Sequence, residues 1–148
     1  MNTKEFIKVS GNLDLVLTDE FGNIKDSKSV HNLVVTAGKN WITSRLKDTG
    51  SPAQMTLMAV GNSTVDPAIT DTALGGELGR VSLTTAGGVV TSNTVTYAAT
   101  FPAGTGTGAL TEAGIFNSAN TMLCRTEYGV VTKGVGDSLA VTWVLTIS

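Results

Sequence analysis

Residues 101–128 read FPAGTGTGALTEAGIFNSANTMLCRTEY, and the order of small, apolar and polar residues in this stretch decides the fold class. Two β-like runs, 110–116 and 122–128, flank a polar turn of small residues at 117–121. The segment 102–108 precedes them and is too glycine-rich for the interior of a strand or helix. The stretch therefore predicts an extended or mobile approach, a strand, a tight turn and a returning strand. Glu112 interrupts the first run, and the glycine that follows at 114 predicts a close-packed neighbour there.

The pattern continues on both sides. Towards the C-terminus, 138–147 alternates, with Leu139, Val141, Trp143 and Leu145 on one face. Glycine-rich turns at 86–88 and 133–137 separate β-like runs at 80–85, 89–101, 109–116 and 122–131. Towards the N-terminus, 54–60 reads as a buried strand and 61–71 as a loop, with a short helical turn over 71–78 capped by Asp71. Residues 5–9 form a short strand candidate ended by Ser10-Gly11. Leu13, Leu15 and Leu17 then share a strand face. A turn at 19–23 leads to a return strand over 24–35, so 5–35 is an N-terminal hairpin. One helix is predicted over 37–47, with Thr36 as N-cap and 48–52 as its stop. Trp41 and Leu46 lie on its apolar stripe.

Eight or nine strands, one helix and closely spaced turns predict a mainly β chain. The expected architecture is an antiparallel β-sandwich, jelly-roll-like, in one domain over 1–148. The expected core is Leu15, Leu17, Trp41, Leu46, Leu139, Val141 and Trp143.

Charge is sparse and uneven. Charged residues make up 15% of the chain, against about 25% in typical soluble domains, and 13 of the 22 lie in the first 50 positions. The remainder covers itself with Thr, Ser, Asn, Gly and Ala. Two readings fit: a surface that packs against protein neighbours, or a threonine-rich β protein with neutral strands. The net charge of -2 offers no basic field for nucleic acid and no polybasic patch for a membrane. No apolar run approaches the ~20 residues that span a bilayer. The N-terminus lacks a secretory signal, so synthesis and folding in a cytoplasm are expected. Cys124 is the single cysteine, expected as a buried thiol.

Candidate chemistry is thin. His31 is the only histidine, so this chain cannot supply two histidines to a metal, and no Gly-x-Ser-x-Gly elbow presents a serine nucleophile. Asp66, Asp71 and Glu77 share a loop-rich region without calcium-loop spacing. Glu77 and Arg80 stand three apart, which pairs them in a turn. Asp71, Glu77 and Arg80 are therefore read as a structural clasp, and no cofactor is expected.

The block LTEAGIFN at 110–117, followed by MLCR at 122–125, resembles a hairpin of tailed-bacteriophage virion proteins, found in fibre-attachment domains and small accessory proteins. The blocks NLVVTAG at 32–38, MAVG at 58–61 and DTALGGELGR at 71–80 are similar to other parts of such proteins. The resemblance implies a non-enzymatic virion protein, made in the host bacterial cytoplasm. Its implied partners are the major capsid protein or tail proteins of the same particle. A chain of 148 residues has no room for a fibre shaft, which favours a multi-copy capsid decoration or cement protein, forming a dimer or trimer. A tail or fibre-attachment role is the alternative. A carbohydrate-binding sandwich is a further one, and it requires Tyr97 or Tyr128 exposed beside carboxylates. Expected subunit contacts are Phe21, Pro102, Thr105, Thr107, Asn117 and Asn120.

Overall fold

The computed structural model describes residues 4–47 and 52–148. Ten strands and one helix follow in order: β1 Val9–Thr18, β2 Ile24–His31, β3 Leu33–Val34, α1 Thr36–Arg45, β4 Met55–Gly61, β5 Glu77–Ser82, β6 Val89–Thr91, β7 Thr94–Phe101, β8 Gly108–Asn117, β9 Met122–Lys133 and β10 Ser138–Ile147. They form two antiparallel five-stranded sheets. The first has the order β2-β1-β10-β7-β6, the second β3-β9-β8-β4-β5.

Alternation builds the first sheet. Leu13 pairs with Trp143, Leu15 with Val141 and Leu17 with Leu139, and all six side chains are buried. Across β10, Tyr97 lies beside Trp143 and Phe101 beside Leu139. These residues meet Met58, Val60, Leu110, Ile115 and Val131 of the second sheet in one apolar core. The result is a sandwich. Four connections, β1–β2, β4–β5, β6–β7 and β8–β9, are hairpins within one sheet, whereas a jelly roll mostly crosses between sheets.

Several local expectations are corrected. Val9–Thr18 is one strand running through Ser10-Gly11, with no separate strand over 5–9. A Cβ on Gly11 would collide with Asn32 Oδ1, so glycine here makes room for the asparagine rather than a turn. The return strand over 24–35 is broken at Asn32, where the chain leaves β2 in the first sheet for β3 in the second. Residues 71–78 are not helical, and 89–101 splits into β6 and β7 around Ser92, which has a positive φ of 53°.

The helix is one turn-position off its expectation. Val35 is the N-cap and no side chain caps it; Thr36 lies inside the first turn, its N–H donating to Ile69 O at 2.8 Å. Gly38 is the buried residue of α1, pressed against the backbone of Leu123. Trp41 and Ile42 are half-buried against the core, covering one end of the sandwich. Leu46 is 83% exposed and is not a core residue, because the helix has already ended at Arg45. The expected stop begins at residues 48–51, which lie outside the described residues.

Candidate functional site

The back of the second sheet is organised round Glu112. β8 is buried continuously from Leu110 to Asn117, so both faces of the strand are covered. The neighbour expected at Gly114 is Leu74, whose Cδ2 lies 3.1 Å from where a Cβ would stand. Leu74 packs with Val35, Ala59, Phe116 and Met122 in a second, smaller apolar cluster. The loop between β4 and β5 therefore lies across the sheet and brings its own backbone amides with it.

Glu112 satisfies those amides. Its Oε1 accepts hydrogen bonds from the N–H groups of Ser63 (3.2 Å) and Gly76 (2.7 Å), and its Oε2 from Gly75 (3.0 Å). Arg125 on β9, opposite Gly114, donates to Oε2 through Nε (3.1 Å) and Nη2 (2.9 Å). The guanidinium also reaches Asp71 Oδ2 (2.8 Å) and Val65 O (2.9 Å). Thr111 Oγ1 donates to Ser63 O at 2.7 Å. Gly61 lets the loop close, since a Cβ there would collide with Gly76 O and Glu112 Oε1. Glu112 is 0% exposed and accepts five hydrogen bonds, so it has no free lone pair for acid–base work. Its chemistry is to hold a loop.

Asp71 belongs to this cluster. It accepts from the Ala68 N–H at 2.9 Å and from Arg125, and it caps no helix. Burial pushes its carboxyl up, but the Ala68 N–H and the Arg125 guanidinium outweigh that and hold it below the ordinary 3.8. Glu77 and Arg80 form a separate bidentate pair (2.7 and 3.1 Å). Arg80 lies 4.0 Å from the centre of the Phe116 ring and donates to Asn120 Oδ1 at 2.7 Å. The expected three-residue clasp is thus two structures, with Asp71 in one and Glu77 and Arg80 in the other.

The expected contact residues divide. Phe21 is 81% exposed at the tip of the β1–β2 turn, where Asp19 Oδ1 accepts from the N–H groups of Phe21 and Asn23. Asn120 is exposed in the β8–β9 turn with φ of 64°. Asn117 is fully buried, donating to Ala53 O and accepting from the Thr121 N–H, so it cannot touch a neighbour. The segment 102–108 is not a free connector. Gly104 N–H donates to Val135 O, Thr105 N–H donates to Pro102 O, and the Pro102 carbonyl accepts from the buried Lys133 Nζ. The Pro102 side chain is exposed, Thr105 and Thr107 are half-buried, and Gly106 is buried.

The residues that sequence reading missed are Glu112 and Arg125 as partners. The signal was present: two opposite charges in two apolar runs joined by a short turn. Tyr97 and Tyr128 are both buried, and burial drives the Tyr97 hydroxyl up to about 12. The aromatic platform that a sugar-binding reading required is therefore not offered by either tyrosine. Cys124 is buried, and burial pushes its thiol well above 9.0. Among the described residues, no group of three or more His, Cys, Asp and Glu gathers as a metal would need.

Two surfaces remain. The outer face of the first sheet is uncovered and nearly neutral. Asp14, Thr142 and Ala98 form one row across it, and Val16, Ala140 and Thr100 the next. Asp14 is the one carboxylate on this face of β1, β10 and β7. The second surface is the α1 end, where a cavity of about 240 Å³ opens between the sheets, lined by Trp41, Ile42, Leu46, Tyr97, Leu123 and Leu145 among others. Comparison with family models, with curated proteins and with solved structures finds no match to this chain.

Proposed function

We propose that this chain is a non-enzymatic structural protein of a tailed-phage virion, present in many copies and acting as a capsid decoration or cement protein. The observation that carries the proposal is the outer face of the first sheet. It spans β1, β10 and β7 with small neutral side chains and a single carboxylate, a composition that suits burial against a protein partner, since interface centres are depleted in charge. The charged groups at the back of the second sheet support the same reading, because they are engaged in holding a loop. A protein that binds only the assembled shell stabilises that shell by mass action. The resemblance of residues 110–125 to virion hairpins adds the setting.

The test is to add purified protein to phage heads that lack it and image them by electron cryo-microscopy. Regular density on the shell, with the first sheet facing the capsid, is the expected result. Density only at the tail or portal vertex replaces decoration by a tail or fibre-attachment role, which the 110–125 block resembles equally well. No binding to either refutes the virion reading.

A further inference from the structure

The two ends of the sandwich are chemically opposite. One end carries the β1–β2 turn. Phe21 and Ile24 are 81% and 71% exposed there, flanked by Asp19, Glu20 and Asp26. Asp137 is at the same end but is paired with Lys25 at 2.6 Å, and Lys133 is buried. Four acids thus face two bases. Asp19 is held charged, because the Asn23 N–H lowers its carboxyl below 3.8. The tip is an apolar knob with a negative collar.

The other end carries the cavity under α1. Its volume of about 240 Å³ exceeds the roughly 150 Å³ of an apolar cavity that accepts a benzene ring. A second hollow of about 480 Å³ adjoins it, sharing Val9, Ile42 and Leu46 and adding Ile7, Lys8 and Lys39. Arg45 lines the first cavity, so Lys8, Lys39 and Arg45 rim the two hollows. Among the described residues that line the two hollows, three are bases and none is an acid. The socket is apolar with a positive rim.

Knob and socket stand at opposite ends of β1, whose nine residue steps span ~30 Å. A knob therefore cannot reach its own socket. We infer that the socket takes the Phe21 turn of a second copy of this chain, so that copies join head to tail. The collar of Asp19, Glu20 and Asp26 then meets the rim of Lys8, Lys39 and Arg45, and the phenyl ring enters the space between Trp41, Tyr97 and Leu145. A heterologous contact of this kind closes into a ring or extends as a filament, according to the rotation between copies. The inference concerns purified protein alone and stands or falls apart from any particle.

Two substitutions at exposed positions test it without disturbing the core. Phe21→Asp removes the knob and Leu46→Glu puts a charge at the socket mouth. Thermal melts matching the parent establish that both variants fold. Sedimentation velocity and native mass spectrometry then read association. The parent is expected to self-associate, and each variant alone to do so about thirtyfold or more weakly, the loss typical of removing a buried anchor. An equimolar mixture is expected to form a one-to-one heterodimer, because one intact knob and one intact socket remain. A monomeric parent at high concentration overturns the inference. So does association that survives either substitution, or a mixture that stays monomeric. A monomer that retains a co-purified amphiphile overturns it too, by filling the socket with a small molecule.

Discussion

The first sheet alternates buried and exposed residues along β1 and β10, while in the second sheet β8 is buried on both faces. Both close the same core, but they use different physics. The first sheet needs one apolar face, and its outer face is left to solvent. The second is overlaid by a loop whose backbone N–H groups cannot all find carbonyl partners. Burying such groups unpaired costs about 1–3 kcal/mol each. A carboxylate placed in the middle of β8 accepts three of them, and an arginine on β9 neutralises it. The comparison teaches that a sheet can be covered by irregular chain when a buried ion pair replaces the missing ladder.

The severest way to break the comparison is to remove what both sheets share. Trp143→Ala is expected to lower stability by about 3–5 kcal/mol through loss of burial and a residual cavity, and Leu15→Ala by about 2–5 kcal/mol. Both should give one cooperative transition in chemical denaturation, since the core belongs to both sheets. Separate transitions would show that the sheets unfold independently.

Glu112→Ala separates the two. It leaves three amides without their acceptor and Arg125 with Asp71 as its remaining carboxylate, and removing one partner of a buried pair typically costs about 3–5 kcal/mol. Hydrogen exchange should show protection lost first in the 62–76 loop while β1 and β10 keep theirs. Uniform loss across the chain would instead make Glu112 part of the common core.

Acid sharpens the same contrast more gently. The Asp71 carboxyl is held below 3.8 in the folded protein, so the unfolded chain binds more protons between the two values. Its contribution is complete above 3.8 and is lost as pH falls through the lower folded value. Denaturant melts of Asp71→Asn and the parent should differ near neutral pH and converge in acid. A constant difference would mean that Asp71 acts through packing rather than charge.

The smallest effects come from the surfaces. Arg80→Ala removes a part-exposed ion pair and a ring contact, together worth about 0.5–1 kcal/mol. Thr142→Ala, on the bare face, should change stability by less than about 0.5 kcal/mol. A larger loss at Thr142 would show that the outer face carries structure of its own.

These differences explain what could be read from the chain. Leu13, Leu15 and Leu17, with Leu139, Val141 and Trp143, were legible because a sheet with one wet face must alternate. β8 was legible as a run but not in its role, because burial on both faces erases the period. The ion pair joins positions two rows apart in different strands, and only the register reveals that Arg125 stands opposite Gly114. Leu46 fits a helical stripe by spacing, but the helix stops one residue earlier. The 102–108 segment has the composition of a linker. Its positive-φ glycines instead fold it back against Val135 and Val60. Of the candidate contacts, the exposure of Phe21 follows from a turn that presents its tip. Asn117 has the same polar character, yet its amide is drawn inwards by Ala53 and Thr121.

The pairing of β1 with β10 also sets a schedule. Thr18 is joined to Ser138, about 120 positions later, and β10 is the middle strand of the first sheet. At a ribosomal rate of about 5–20 residues per second, the first hairpin waits roughly 6–24 s for the strand that completes it. Through that interval Leu13, Leu15 and Leu17 are open to water along an unpaired edge, a template for another nascent chain. A translational pause before residue 138 therefore lengthens the time in which neighbouring chains on one message can exchange strands.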